Sequence, residues 1–259
     1  MSEIESIERR SHFPAKILVN CTVLYITLIL TAYFSPALHG LQVPLAYLAP
    51  FLLAVGLVPS LILYWSGPAT LPILPFSIGA VLLMGGTAFD MLATVLRSPT
   101  LIREGNPIAR ALLDGGHSLT FLYGYGFATQ SLYVLFACTL WAAFLRHLDV
   151  VIALADRSRP KSYLEFVKAM TGGGQLSWRQ YLLPMKPGEF SKPYFLVWIL
   201  PIFWVGLSPY RWFLALEWLG MAPMPRNSFV AFLVIAILLL YLVWLWYEYL
   251  KSIQRSNMD

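Results

Sequence analysis

From Phe229 to Leu250 the chain reads FVAFLVIAILLLYLVWLWYEYL, with Glu248 as its single charge. A helix of that length, rising 1.5 Å per residue, can cross the ~30 Å hydrocarbon core of a bilayer. In water it would have to be covered on every side. A chain of 259 residues can do that for one such helix but not for several, and the sequence holds several. Comparable runs occupy residues 16–34, 44–65, 72–97 and 119–146, and a fifth, 190–218, is interrupted by Pro201 and by Ser208-Pro209. With 228–250, they predict six spans in an all-α, polytopic transmembrane helix bundle, one integral membrane domain over 1–259. Trp244, Trp246 and Tyr247 at the end of the sixth span fit the interfacial aromatic belt.

Composition points the same way. Hydrophobic residues make up 58% of the chain and charged residues 12%, where a soluble domain carries about 45–50% and about 25%. A water-soluble globule, a disordered chain and a nucleic-acid binder are all poor fits. The net charge of +5 reads instead as basic connections gathered on one side of a membrane. With both termini inside, Arg9, Arg10, Lys16, Lys251 and Arg255 join the eight cations between Arg146 and Lys192. Only Arg97, Arg103, Arg110, Arg211 and Arg226 fall outside. That asymmetry predicts an N-in, C-in orientation. The opening MSEIESIERRSHFPA carries three glutamates and lacks the basic start of a cleavable signal, so 16–34 is read as a retained first span.

The connection from about 148 to about 189 is the one sizeable polar segment, and its cations would face acidic lipids or a partner on the inner side. Within it, Ser162 to Met170 alternates apolar and charged positions at helical spacing. This predicts a short amphipathic helix, either on the inner membrane surface or covering the inner end of the bundle. Gly172-Gly173-Gly174 lacks a following Lys-Ser or Lys-Thr and is no phosphate loop. Cys21 and Cys138 sit inside apolar runs, without any CxxC or zinc spacing. Tyr123-Gly124-Tyr125-Gly126 lacks the Thr-Val that precedes a potassium filter.

The polar chemistry gathers after the third span. Asp90, Thr94 and Arg97 are spaced i, i+4, i+7 and share one helix face. An aspartate about 10 Å along the helix from the interfacial arginine must be paired or hydrated. Beyond it, Asn106-Pro107 reads as the N-cap and first position of a short helix, PIARALLD, which Gly115-Gly116 would end. Glu104 falls near the positive end of that helix. Asp90, Thr94, Arg97, Glu104 and Asn106 therefore form a polar cluster, structural or functional, with Arg103 and Arg110 close by in sequence. Glu217 is read as interfacial or paired with Arg211. The pattern Asp-x-x-x-Thr, a short linker, then Glu-x-Asn-Pro resembles a motif of small uncharacterised bacterial and archaeal membrane proteins of the domain-of-unknown-function type. It spans Asp90 to Pro107. The resemblance implies a prokaryotic cell membrane and a shared role for these residues as a unit, and brings no activity with it.

None of the four histidines falls in the middle of a predicted span, so a bis-histidine haem is not expected. No cofactor signature is present. His39 and His117 fall on the same side as Asp90 and Glu104, and those four define the one candidate metal set. With no catalytic motif and little outside the membrane, the first expectation is a non-catalytic accessory or assembly subunit of a membrane complex, in contact with lipids and partner subunits. Whether the chain is an enzyme stays open at this level. The alternatives are a small membrane-embedded enzyme or carrier with an outer-facing site at Asp90 and Glu104, and a metal-binding membrane protein.

Overall fold

The structure, a computed structural model, describes residues 13–15, 17, 18, 20–24, 27, 42–101, 107–156, 159–170, 208–222 and 224–256. Among these residues all regular structure is helical. The elements are α1 (Phe13–Leu24), α2 (Gln42–Ser66), α3 (Ile73–Arg97), α4 (Pro107–Asp114), α5 (Leu119–Asp156), α6 (Tyr163–Met170), α7 (Ser208–Trp218) and α8 (Arg226–Ser256). Four stretches are long and apolar enough to cross a membrane: Tyr47–Ser66, Ile73–Arg97, Leu119–Ala153 and Ile235–Gln254. They match the second, third, fourth and sixth predicted spans. Most of the first span and residues 190–207 of the fifth lie outside the described residues. The described part of the fifth, α7, has 11 residues and is too short to cross by itself.

α5 is the central helix. Its apolar window is 61% buried, against 12% in α8. Leu53 and Leu63 of α2, Leu83 of α3, and Leu245 and Tyr249 of α8 close around Tyr133, Phe136, Leu140 and Phe144 of α5. The outward faces keep large apolar side chains exposed, among them Phe51, Ile62, Val81, Leu92, Phe127 and Leu240, as a hydrocarbon-facing surface requires.

One boundary differs from the sequence reading. α5 does not stop at Arg146-His147 but continues to Asp156, taking in the start of the predicted basic connection. Arg146 needs no water. Its Nε donates to Ala69 O at 2.8 Å, Nη2 to Gly67 O at 2.6 Å and Nη1 to Tyr64 O. Its guanidinium also lies 4.9 Å from the Tyr64 ring centroid. A cation is favoured at the C-terminal end of α2, where Tyr64 O and the carbonyls of Gly67 and Ala69 just past the helix accept from it. His147, expected at a helix end, is fully buried inside α5, with Nδ1 2.8 Å from Ala143 O.

The short helices follow their sequence signals. α4 begins at Pro107 and ends in a Schellman turn: His117 N–H donates to Leu112 O and Gly116 N–H to Leu113 O, with Gly116 at φ +81°. α6 is capped by Ser162 Oγ, which accepts from Glu165 N–H, while Glu165 Oε2 accepts from Lys161 N–H at 2.7 Å. Its Phe166 is fully buried against Trp246 and Tyr249. Of the two placements considered for this helix, that packing matches a cover on the bundle end.

Candidate functional site

The site is built on the small-residue face of α3. Gly79 admits the Trp141 indole of α5, and Gly85 and Gly86 admit the Trp212 indole of α7. A methyl group at Gly86 would come within 2.8 Å of the Trp212 ring and 3.0 Å of Ser208 O. Both indoles donate to α3 carbonyls, Trp141 to Pro75 at 3.1 Å and Trp212 to Leu82 at 3.0 Å. Close approach permitted by glycine, fixed by a hydrogen bond to backbone, is a common way for membrane helices to pack. It sets α7 beside the second half of α3, with Ser208 at Gly86 and Leu219 at Arg97. The two helices therefore run in the same direction.

That placement brings Arg211 to Asp90. Arg211 Nη1 lies 3.0 Å from Asp90 Oδ2, and the two side chains are 22% and 12% exposed. The guanidinium also sits 5.2 Å from the ring centroid of Tyr133 on α5. One salt bridge thus ties α3 to α7 and rests on α5. The sequence places Arg211 among the outer cations and groups Asp90 with Arg97, Arg103 and Arg110, whereas the partner in the fold is Arg211. Arg97 instead donates through Nη2 to Leu219 O, just past the end of α7. Glu217, read as interfacial or a partner of Arg211, binds Arg226, with Oε2 at 2.8 Å from Nε and 2.6 Å from Nη2. Arg110 lies 3.9 Å from Asp114 within α4.

Of the predicted cluster, Asp90 and Arg97 are thus both engaged with the α7 segment, by side chain and by backbone. Thr94 is half-buried one turn beyond Asp90, and its carbonyl accepts the Ser98 N–H that ends α3. Glu104 and Asn106 lie outside the described residues, as do Arg103 and His39. His117 is held at the end of α4, with Nε2 3.2 Å from Tyr47 Oη and its ring stacked 4.7 Å from that of Phe121. Among the described residues no group of three or more His, Cys, Asp and Glu side chains is arranged to hold a metal ion.

Buried polar atoms of another kind lie on α3 and α5. Thr87 Oγ1, Thr129 Oγ1 and Gln130 Oε1 are buried and have no hydrogen-bond partner among the described residues. Thr87 sits one turn before Asp90 on the buried face of α3. Thr129 and Gln130 sit one turn before Tyr133 on α5. No family model, curated protein or solved structure matches the chain.

Proposed function

We propose that this chain is a multi-pass membrane protein acting as a non-catalytic accessory or assembly subunit of a membrane complex. The observation that supports the reading is the use made of the cations placed against the bundle. Arg146 caps α2, Arg211 ties α3 to α7, and Arg97 binds the turn after α7. These groups join helices, and side chains fixed in such joints suit a rigid partner more than a centre that turns over. Basic residues flanking α6, such as Arg159 and Lys161, are exposed and suit acidic lipids or an inner-side partner.

The competing reading is an enzyme or carrier centred on Asp90. It draws on the same salt bridge, because ionisable pairs inside a bundle often mark functional sites. Purification of the full chain from its own membranes in mild detergent, with mass and metal analysis, separates the readings. A partner at fixed stoichiometry is expected. A particle with the mass of this chain alone would overturn the subunit reading, and a bound metal would favour the metal-binding alternative.

A further inference from the structure

The surroundings of α6 carry an inference that rests on the membrane-protein part of the proposed function and not on the subunit role. Tyr163 and Phe166 pack on Trp246 of α8, with ring centroids 6.2 and 5.3 Å away, and Phe166 also meets Tyr249 at 5.3 Å. α6 is therefore level with residues 246–249 of α8. The next side chains of α8 turn outward at that level. Tyr247 is exposed, and Lys251 holds its Nζ 6.0 Å from the Tyr247 ring centroid and 3.6 Å from Glu248 Oε2. An exposed tyrosine with a lysine one turn on, near the end of the apolar stretch Ile235–Gln254, marks the boundary between acyl chains and headgroups. α6 thus lies at headgroup depth.

At that depth it presents an apolar side chain beside two cations. Leu164 precedes Phe166 by two residues, about 200° around the helix, so it points away from the bundle, where it is 62% exposed. Lys161, three residues before Leu164, is exposed, and so is Arg159. The turn that carries both cations is fixed from beneath. Pro160 is buried between them, and the buried Tyr249 donates through Oη to Pro160 O at 3.3 Å. Arg159 enters this turn at φ +46°, a conformation that L residues rarely adopt. Glu165 is the single carboxylate of residues 157–170, against four cations. Its Oε2 is committed to the start of α6, where it accepts from Lys161 N–H at 2.7 Å. An outward leucine gains nothing in water, whereas at a bilayer surface it reaches the acyl boundary while neighbouring cations meet phosphate.

We infer that α6 docks on the acidic phospholipids of the leaflet at its end of the bundle. Leu164 enters the boundary between headgroups and acyl chains, and Arg159 and Lys161 bind headgroup phosphates. A lipid surface fits better than the face of a folded partner, because the anchor is one leucine and not a contiguous apolar patch, and because Tyr247 and Lys251 set it level with lipid. The test uses the full chain in lipid nanodiscs, with Cys21 and Cys138 replaced by Ala and a bimane label on Leu164→Cys. Discs of phosphatidylcholine alone are compared with discs that also contain phosphatidylglycerol. Quenching is read with acrylamide from the water side and with phosphatidylcholine brominated on its acyl chains. In the acidic discs the label is expected to lose about half of its acrylamide quenching and to gain quenching by brominated lipid. Arg159→Gln combined with Lys161→Gln should abolish that difference between discs and leave the unfolding midpoint near that of the parent, since both side chains are exposed. A label on Leu92→Cys, at the exposed apolar surface of α3, should be quenched by brominated lipid in both discs and so verifies insertion. Equal acrylamide quenching at Leu164→Cys in the two discs would overturn the inference. A lipid dependence that survives the loss of both cations would overturn it too, and the subunit reading would stand in either case.

Discussion

Asp90 and Arg211, 121 positions apart in the chain, lie 3.0 Å apart in the fold. The pair ties α7 to a helix long and apolar enough to cross a membrane. Removing either partner leaves the other charged in a poorly solvated place. Asp90→Ala and Arg211→Ala are each expected to destabilise by about 2–4 kcal/mol, toward the lower part of the range for buried pairs because these side chains keep some exposure. The double variant should cost clearly less than the sum, since both remove one interaction. Thermal unfolding of the three variants in detergent checks this, and additive losses would mean the pair contributes nothing as a pair.

The contact between Gly86 and Trp212 makes a second, steric prediction. Gly86→Ala places a methyl group 2.8 Å from the indole. It should push α7 outward, weaken the Trp212–Leu82 hydrogen bond and cost about 1–3 kcal/mol, as overpacking does. Trp212→Leu removes the obstructing ring, so adding Gly86→Ala to it should cost less than in the parent chain, the remainder coming from Ser208 O at 3.0 Å. Unfolding midpoints of the single and double variants provide the comparison.

Arg146 tests whether geometry matters beyond charge. A lysine keeps the cation but has no planar fork to reach three carbonyls at once. Arg146→Lys is expected to lose about 1–3 kcal/mol, near the worth of hydrogen bonds to a charged group. Amide exchange of the residues after Ser66 should quicken, because Ala69 N–H donates to Arg146 O in the same joint. Unchanged exchange in 67–70 would show that charge alone suffices.

Two glycines should respond in opposite directions. Gly116 has φ +81° and, among the described residues, nothing within 4 Å of an added methyl group, so Gly116→Ala meets backbone strain and should cost about 1–2 kcal/mol. Gly124, inside α5, also meets nothing within 4 Å among the described residues. There Gly124→Ala should stabilise by about 0.5–1 kcal/mol, through helix propensity. A stability ranking of the two variants against the parent chain reads out both signs.

Orientation is the last expectation. Reporter tags at Ser2 and Asp259 should both lie inside and one near Gly115 outside, from the distribution of Lys and Arg. Arg211 no longer belongs to the outer count, which makes the asymmetry steeper. Terminal tags on opposite sides would rule out an even number of crossings.

Much of the fold was legible because hydrophobic run length is a local signal. The four long helices and the end of α4 at Gly115-Gly116 could be read from neighbouring residues, whereas the Asn106 cap lies outside the described residues. The site was legible only by half. An aspartate in an apolar helix announces its need for a partner, and Asp90 stood out for that reason. Its cation lay 121 residues away, and nothing local distinguishes Arg211 from an interfacial arginine beside Pro209. Arg146 misled in the same way: arginine after a long apolar run usually marks the edge of the membrane, but here it reaches sideways to the end of another helix. The closest signal for Arg211 was the small pair Gly85-Gly86, one turn before Asp90, which announces close helix packing without saying which helix arrives.

The separation between Asp90 and Arg211 also orders events during biosynthesis. Translation proceeds at about 5–20 residues per second, so on the order of ten seconds pass between the appearance of the aspartate and that of its arginine. Through that interval α3 and α5 can already be in the membrane, while the groove over Gly85 and Gly86 waits for α7. The insertion machinery, or an assembly factor, has to tolerate an unfinished groove bearing a carboxylate, and arrival of Arg211 is the step that closes it. A ribosome stalled before residue 208 should therefore hold a bundle more sensitive to protease than the released full chain.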